Sequence, residues 1–404
     1  STIVYRKSMK RRDFIKQSGT ITAGLYAFPT VIKNYQKERI RVGVIGTGDR
    51  GLGVAGVMQE SDWFDVKGCC DVLPFRLDNA RNRFERNASY YTDYRKMLDN
   101  PDLDAILVAT PLSMHHEMAI AALDAGKHVY CEKTMAFHIP EVQDMAAKVK
   151  DSDKTFLVGH QYRSVPLYYR VAEMIQEGYI GQVTNIYVQW NRNGNWRRPV
   201  PDPQYERMVN WRMYREYSGG LTAELHSHQI DFINYVFNSH PVRIMGMGSI
   251  DYWKDGRETF DNVNNILEYP NGMKVNLISL TANARNDYLM EFRGSKGTIV
   301  LGMDEARVYP ESEEVKQLTT VDGVTGATAQ AIMRGEGIPV KVAHQEGWSN
   351  TTYALQNFYE AIVDQAKPYS TVVSGGTTAI VVRLIIDAMV DGEIKSWQPE
   401  YKLG

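Results

Sequence analysis

The segment Ile40-Arg-Val-Gly-Val-Ile-Gly-Thr-Gly-Asp-Arg-Gly-Leu-Gly53 constrains the fold of this chain more than any other. Val42 to Ile45 is an apolar run of the kind that forms a strand buried on both faces, and Leu52 to Glu60 follows as a helix. Between them Gly46, Gly48 and Gly51 fall in G-x-G-x-x-G spacing. Side chains at those positions would block the tight turn out of the strand, the approach of a pyrophosphate, and the packing of helix on strand. Free N–H groups at the helix start face the phosphate charge, which puts Asp49 and Arg50 in the same wall. A second strand, Asp65 to Cys70, ends at Asp71, twenty residues beyond Gly51. An acid there accepts hydrogen bonds from an adenosine ribose and repels a 2′-phosphate, so NAD is expected rather than NADP, with Arg76 close by.

A chain of 404 residues exceeds one ordinary core, and two domains are expected. Hydrophobic residues at 43% and charged residues at 23% fit a globular protein rather than a disordered one. A net charge of −2 and a pI near 6.5 point away from nucleic acid or an anionic membrane as partner. Cys69, Cys70 and Cys131 make no disulfide framework and read as small buried apolar residues, and no metal site is expected.

The first 36 residues are set apart from the fold. Lys10-Arg-Arg-Asp-Phe-Ile-Lys16 resembles a twin-arginine export signal, and a short apolar, small-residue stretch from Gly19 to Phe28 follows. That stretch is too short and polar for a stable membrane span. The expected location is therefore the periplasm, or the cytoplasm if the signal does not function. The twin-arginine route carries folded proteins, which suits one that must take up a nucleotide before leaving.

From residue 37 to 160, strand-like runs alternate with helical stretches, the pattern of a doubly wound parallel sheet. Candidate strands are Arg41–Ile45, Val66–Cys70, Ala105–Ala109, His128–Cys131 and Thr155–Val158. Residues 161–404 read as a substrate-binding α+β domain on a large, mostly antiparallel sheet. Its strands include Val183–Trp190, Val242–Ser249, Val263–Tyr269, Met273–Leu280, Tyr288–Arg293 and Gly297–Leu301, with turns at Asn271-Gly272 and Lys296-Gly297. Gly347–Asp364 and Thr377–Met389 read as closing helices.

Ligands of an open parallel sheet bind beyond the carboxyl ends of its strands, where Thr110, Pro111, His115, Glu132 and Lys133 fall. A lysine partly desolvated at such an end has its pKa lowered toward a range useful for proton transfer. A second cluster is Gly219-Gly-Leu-Thr-Ala-Glu224-Leu-His226-Ser-His228-Gln-Ile-Asp231. On a regular helix Glu224, His228 and Asp231 share one face, which lets a carboxylate orient an imidazole that takes a hydroxyl proton. His226 and His228 point in roughly opposed directions on a helix and chelate badly, against zinc.

Together these motifs resemble the Gfo/Idh/MocA oxidoreductases, NAD(P)-dependent enzymes of sugars, inositols and related polyols. The resemblance runs from about Ile40 to near the C-terminus and includes Glu291-Phe-Arg-Gly-Ser-Lys-Gly-Thr298. It implies Lys133 as catalytic lysine, His228 as catalytic histidine and Glu224 as its acidic partner. It also implies that Thr110, Pro111, His115 and Glu132 line the nicotinamide side, and that the open face of the large sheet pairs subunits into a homodimer or homotetramer. The chain departs from the family pattern at Thr134, where Glu-Lys-Pro is usual, at Glu224, usually Asp, at His226, usually Gly, and at Leu112. Tyr162, Arg163, Trp190, Asn195, Trp196 and His226 are the candidate substrate contacts, aromatic rings and polar groups suited to a sugar.

The expected activity is oxidation or reduction of a secondary hydroxyl of a sugar or glycoside, with tightly held, recycled NAD. Two alternatives stand beside it: an NAD-dependent glycosidase working by transient oxidation and elimination, and a non-catalytic sugar sensor.

Overall fold

The computed structural model describes residues 39–84, 87–311, 335 and 337–404. The export-like segment, residues 1–36, and most of the polar stretch Tyr309 to Lys341 lie outside the described residues.

Apolar runs buried on both faces build the first sheet. Its strands are β1 (Ile40–Ile45), β2 (Phe64–Cys70), β3 (Ser89–Tyr91), β4 (Ala105–Val108), β5 (His128–Cys131) and β6 (Phe156–Val158). All run parallel in the order β3-β2-β1-β4-β5-β6. The order reverses between β1 and β4, which opens a crevice at their carboxyl ends. β3 is a short, half-exposed edge strand of polar and tyrosine residues, so no apolar run announces it. The covering helices are α1 (Asp49–Glu60), α2 (Pro74–Phe84), α3 (Tyr94–Leu98), α4 (His115–Asp124) and α5 (Ile139–Lys150).

After α6 (Pro166–Gln176) the chain enters a nine-stranded mixed sheet, mostly antiparallel. It is built from β7 (Val183–Trp190), β8 (Arg243–Ser249), β9 (Asn262–Glu268), β10 (Lys274–Leu280), β11 (Tyr288–Gly294), β12 (Gly297–Leu301) and β13 (Ala306–Pro310). Short β14 (Ile338–Pro339) and β15 (Lys395–Ser396) close the edges. Within this mostly antiparallel sheet β7 is the exception: it runs antiparallel to β11 but parallel to β10. Alternation of Val183, Ile186 and Val188 specifies which face is buried, not the direction of a neighbour. A long crossover, which carries α7 (Glu206–Val209) and α8 (Ser227–Phe237), turns the chain back before the next strand and allows the parallel pairing. Along β8 to β11 buried side chains alternate with exposed ones, so one face packs on helices and the other stays open.

The last helices return to the first sheet. Phe358 of α9 (Asn350–Val363) stacks on Phe64 at 6.0 Å and meets the edge of Tyr130 at 5.6 Å. Leu355 and Phe358 share a core with Val42, Val44 and Leu107. A helix from beyond residue 161 thus covers the aromatic face that β2 and β5 present. α10 (Val372–Asp391) passes against β6 and α5, with Thr371 capping its start and Gly392 ending it in the left-handed region at φ 68°. Among the described residues it alone is long and apolar enough to cross a membrane, and most of it is buried within the protein.

The turn after β1 depends on glycine in a direct way. Gly46 has φ 92°, and a Cβ on Gly51 would stand 1.8 Å from the Gly46 carbonyl oxygen. Gly51→Ala is expected to cost about 1–3 kcal/mol through overpacking. Gly53→Ala, where nothing lies within 4 Å of the added methyl, is expected to stabilise slightly. Urea unfolding of the two variants checks the pair.

Candidate active site

A cavity of about 690 Å³ opens at the crevice between β1 and β4. Gly46, Gly48, Asp71, Arg76, Thr110 and Pro111 line one part of it, and Glu132, Lys133, Glu224 and His228 another. The glycine turn fits a dinucleotide pyrophosphate: Gly48 carries no capping side chain and α1 begins directly behind it, leaving first-turn amides for an anion. The Arg76 guanidinium stands over this turn, 3.4 Å from where a Gly48 Cβ would sit. Asp71 anchors the turn as well as lining the cavity. Its Oδ2 accepts from the Thr47 N–H at 2.8 Å and its Oδ1 from the Leu73 N–H at 2.9 Å. Asp49 also lines the cavity.

Arg50 also lines the cavity. Its Nε donates to Glu132 Oε1 at 2.8 Å and its Nη1 to Thr351 Oγ1 at 3.1 Å, so it ties the helix start to β5 and α9. His115 is fully enclosed, with Nδ1 2.8 Å from the Thr134 carbonyl and Nε2 3.0 Å from the Thr110 carbonyl. Burial holds its pKa below the ordinary imidazole value, with the two carbonyls drawing it the other way.

The two domains meet at Lys133. Its Nζ donates to the carbonyls of Glu224 at 2.9 Å and Ala223 at 3.3 Å, and Thr134 Oγ1 donates to Ala223 at 3.1 Å. Those carbonyls belong to a π-helical turn, Thr222–His226, at the entry to α8. Burial lowers the pKa of Lys133, with Glu224 and Glu132 opposing the shift.

The π turn also changes the expected triad. A regular helix would align Glu224 with His228. Here Glu224 Oε2 instead accepts from Arg212 Nε at 2.5 Å, and His228 Nδ1 has no hydrogen-bond partner. The expected orientation of His228 by Glu224 is thus replaced by an Arg212–Glu224 pair beside it. Burial raises the Glu224 pKa, but Arg212 and Lys133 outweigh it and leave a net lowering. His228 is held by rings: Tyr162 at 4.9 Å, His160 at 5.8 Å and Trp190 at 5.9 Å. Its pKa lies well below the ordinary imidazole value, mainly through burial and secondly through Lys133.

Several expected substrate contacts lie elsewhere. Arg163 forms a buried pair with Asp231, Nε to Oδ2 at 2.6 Å and Nη2 to Oδ1 at 2.9 Å, and Asp231 therefore serves α8 and α10 rather than His228. His226 has no exposure, because the π turn points it into the core. Tyr162 and Trp190 are 5% exposed and back His228 from behind. Asn195 Oδ1 accepts from the Arg197 N–H at 3.0 Å and braces Arg257. Trp196 does line a cavity, a smaller one beside Glu224.

Sequence reasoning passed over the segment 198–217, which supplies Arg198, Arg207, Met208, Val209, Trp211, Arg212 and Tyr217 to the larger cavity. Its signal was a density of arginine and aromatic residues between strand and helix. Contacts with the first domain hold it: Arg198 to Asp49 at 2.7 Å, Tyr205 on Phe75 at 5.6 Å, and the Ser113 N–H to the Tyr217 carbonyl at 3.3 Å.

Residues 40–160 match the oxidoreductase family described as GFO_IDH_MocA, NAD-binding Rossmann fold, and residues 168–300 match the GFO/IDH/MocA C-terminal domain. Levoglucosan dehydrogenase of Pseudarthrobacter phenanthrenivorans is 28% identical over 346 residues, covering 78% of this chain and 83% of that protein. The 2,7-anhydro-N-acetylneuraminate hydratase of Escherichia coli is 28% identical over 272 residues, 66% of this chain and 68% of that protein. A solved levoglucosan dehydrogenase in complex with NADH shares the fold with a TM-score of 0.69 at 21% identity, covering 89% of this chain and 99% of that one. The chain is an NAD-dependent member of the Gfo/Idh/MocA oxidoreductase family.

Two buried histidines give the fold a pH dependence. Burial pushes His160 and His226 down to about 4 from the ordinary 6.5, although Asp231 draws His160 the other way. Folded imidazoles then stay neutral where unfolded ones take up protons. Stability is expected to fall as pH drops from about 6.5 to about 4 and to change little through these groups below that. His226→Asn is expected to flatten part of this slope in urea titrations across that range.

Proposed function

We propose that this chain oxidises or reduces a secondary hydroxyl of a sugar or glycoside, with NAD held through successive turnovers. The observation that carries the reading is the convergence of Lys133 and His228 on the cavity that starts at the Gly46–Gly51 turn. NAD supplies hydride transfer when bound; the protein's task is to hold the sugar and move a proton. Lys133, with its ammonium on two carbonyls, is placed to polarise the hydroxyl, and neutral His228 to exchange its proton. Arg212 and Glu224 set the charge around both.

Slow cofactor release is supported by the segment 198–217, which lies across the cavity and contacts the first domain. The outer face of the large sheet, with Met245, Met247 and Ile266 exposed, supports a subunit contact. Export by the twin-arginine route rests on Lys10 to Lys16, and a retained cofactor suits it. A second reading, oxidation followed by elimination and hydration, is favoured by the relative named as a hydratase.

Lys133→Ala and His228→Asn are each expected to lower kcat about 10²–10⁴-fold while NAD still binds. Glycoside-driven reduction of NAD, followed by absorbance, reads this; undiminished turnover in both variants overturns the assignment. The acid limb of the kcat/KM profile is expected below 6.5 and the alkaline limb below 10.5, since burial lowers both groups. For export, replacing Arg11 and Arg12 by Lys is expected to retain the protein in the cytoplasm, as cell fractionation reports.

A further inference from the structure

A second cavity of about 360 Å³ adjoins the first at Arg198, Arg212 and Glu224. Arg192, Trp196 and Arg197 complete the part that matters here. Four guanidinium groups thus face a space whose wall contains a single carboxylate, and that carboxylate is already paired with Arg212.

The partners of these arginines differ in how firmly they hold. Arg197 is fully engaged, with Asp255 on Nε and Glu206 on Nη1, and frames the wall. Arg192 meets Asp287 through Nη1 alone, at 3.1 Å, and lies over the Trp190 ring at 5.4 Å. Arg198 meets Asp49 through Nη1, and Arg212 uses Nε for Glu224 while lying over Trp211 at 4.2 Å. The Arg192 and Arg198 pairs are both solvent-exposed, the kind of ion pair an incoming anion displaces at little cost. A guanidinium carries five N–H donors in a planar fork, so each of these three keeps donors for an oxyanion. Trp196 holds φ 66° in the same wall, a strained conformation for a bulky residue, and adds an indole to its lining.

We infer that the substrate is a glycoside bearing an oxyanion, a carboxylate, sulfate or phosphate, seated on Arg192, Arg198 and Arg212 beside Trp196. This rests on the sugar oxidoreductase reading for the identity of the ring. It goes further in naming the charge that ring carries.

The test is equilibrium binding to the full chain loaded with NAD, by calorimetry. The probes are methyl β-D-glucuronide, D-glucose 6-sulfate and D-glucose 6-phosphate, each set against methyl β-D-glucoside. At least one anionic probe is expected to bind about tenfold or more tightly than the neutral one, with the margin shrinking as salt screens it. Which of the three wins identifies the oxyanion. Arg192→Gln is expected to abolish the margin and Arg192→Lys to restore part of it, with NAD affinity unchanged in both. Equal binding of charged and neutral probes, or no binding of any, overturns the inference. So does an Arg192→Gln variant that loses NAD affinity as much as anion affinity, since the arginines would then serve the cofactor. Selective binding without reduction of NAD leaves the anion site standing and overturns hydride transfer instead.

Discussion

The carbonyl of Ala223 is the point on which the site turns. A π-helical turn frees it from regular helix pairing, and three donors converge on it: Ser227 Oγ at 2.6 Å, Thr134 Oγ1 at 3.1 Å and Lys133 Nζ at 3.3 Å. Through that oxygen and the Glu224 carbonyl, which accepts from Lys133 Nζ at 2.9 Å, the loop after β5 is fixed to the entry of α8. Lys133 and His228, from different domains, thereby share a cavity wall. π turns within α-helices are often found where a side chain must be re-aimed at a function. Here the turn sends Glu224 to Arg212 and His226 into the core, and leaves His228 facing the cavity.

Electrostatics at this joint follow from burial more than from any single partner. His228, His160 and His226 are all pushed toward their neutral forms by desolvation. His228 is held by tilted and edge-on ring contacts rather than by a carboxylate. The buried Arg163–Asp231 pair lies one layer behind and joins α8 to the loop after β6, with Thr378 of α10 completing it at 3.2 Å. Removing one partner of such a pair leaves an uncompensated buried charge, so this is scaffolding for the histidine and not a participant in chemistry.

Much of the first domain was legible in the sequence because parallel strands buried on both faces leave continuous apolar runs and glycines mark forced turns. The cofactor wall is legible for the same reason: Gly46, Gly48, Asp71 and Thr110 are fixed by local geometry at strand ends. Other parts carry no local mark. β3 is polar, the parallel pairing of β7 with β10 depends on a crossover, and the return of Phe358 to Phe64 spans almost the whole chain. Arg212 lies twelve residues from Glu224, and a helical spacing rule could not find it. The same rule failed for Glu224 and His228 because it assumes an uninterrupted α-helix, and for Asp231, on the regular part of α8, because Arg163 takes up that carboxylate.

The sequence by itself determined the dinucleotide turn, the acid at the end of β2, the positions of Lys133 and His228, and the family. Each is a consequence of short-range sterics or of motif order. Only the tertiary structure decided which groups line the cavity beyond the glycine turn, because that depends on how the segment 198–217 and the π turn fold against the first domain. The arginine-lined chamber beside Glu224 belongs to this second kind. Its residues come from the loop after β7, a short 3-10 turn at Trp211–Met213 and the π turn, and their charge acquires meaning only once packing gathers them on one wall.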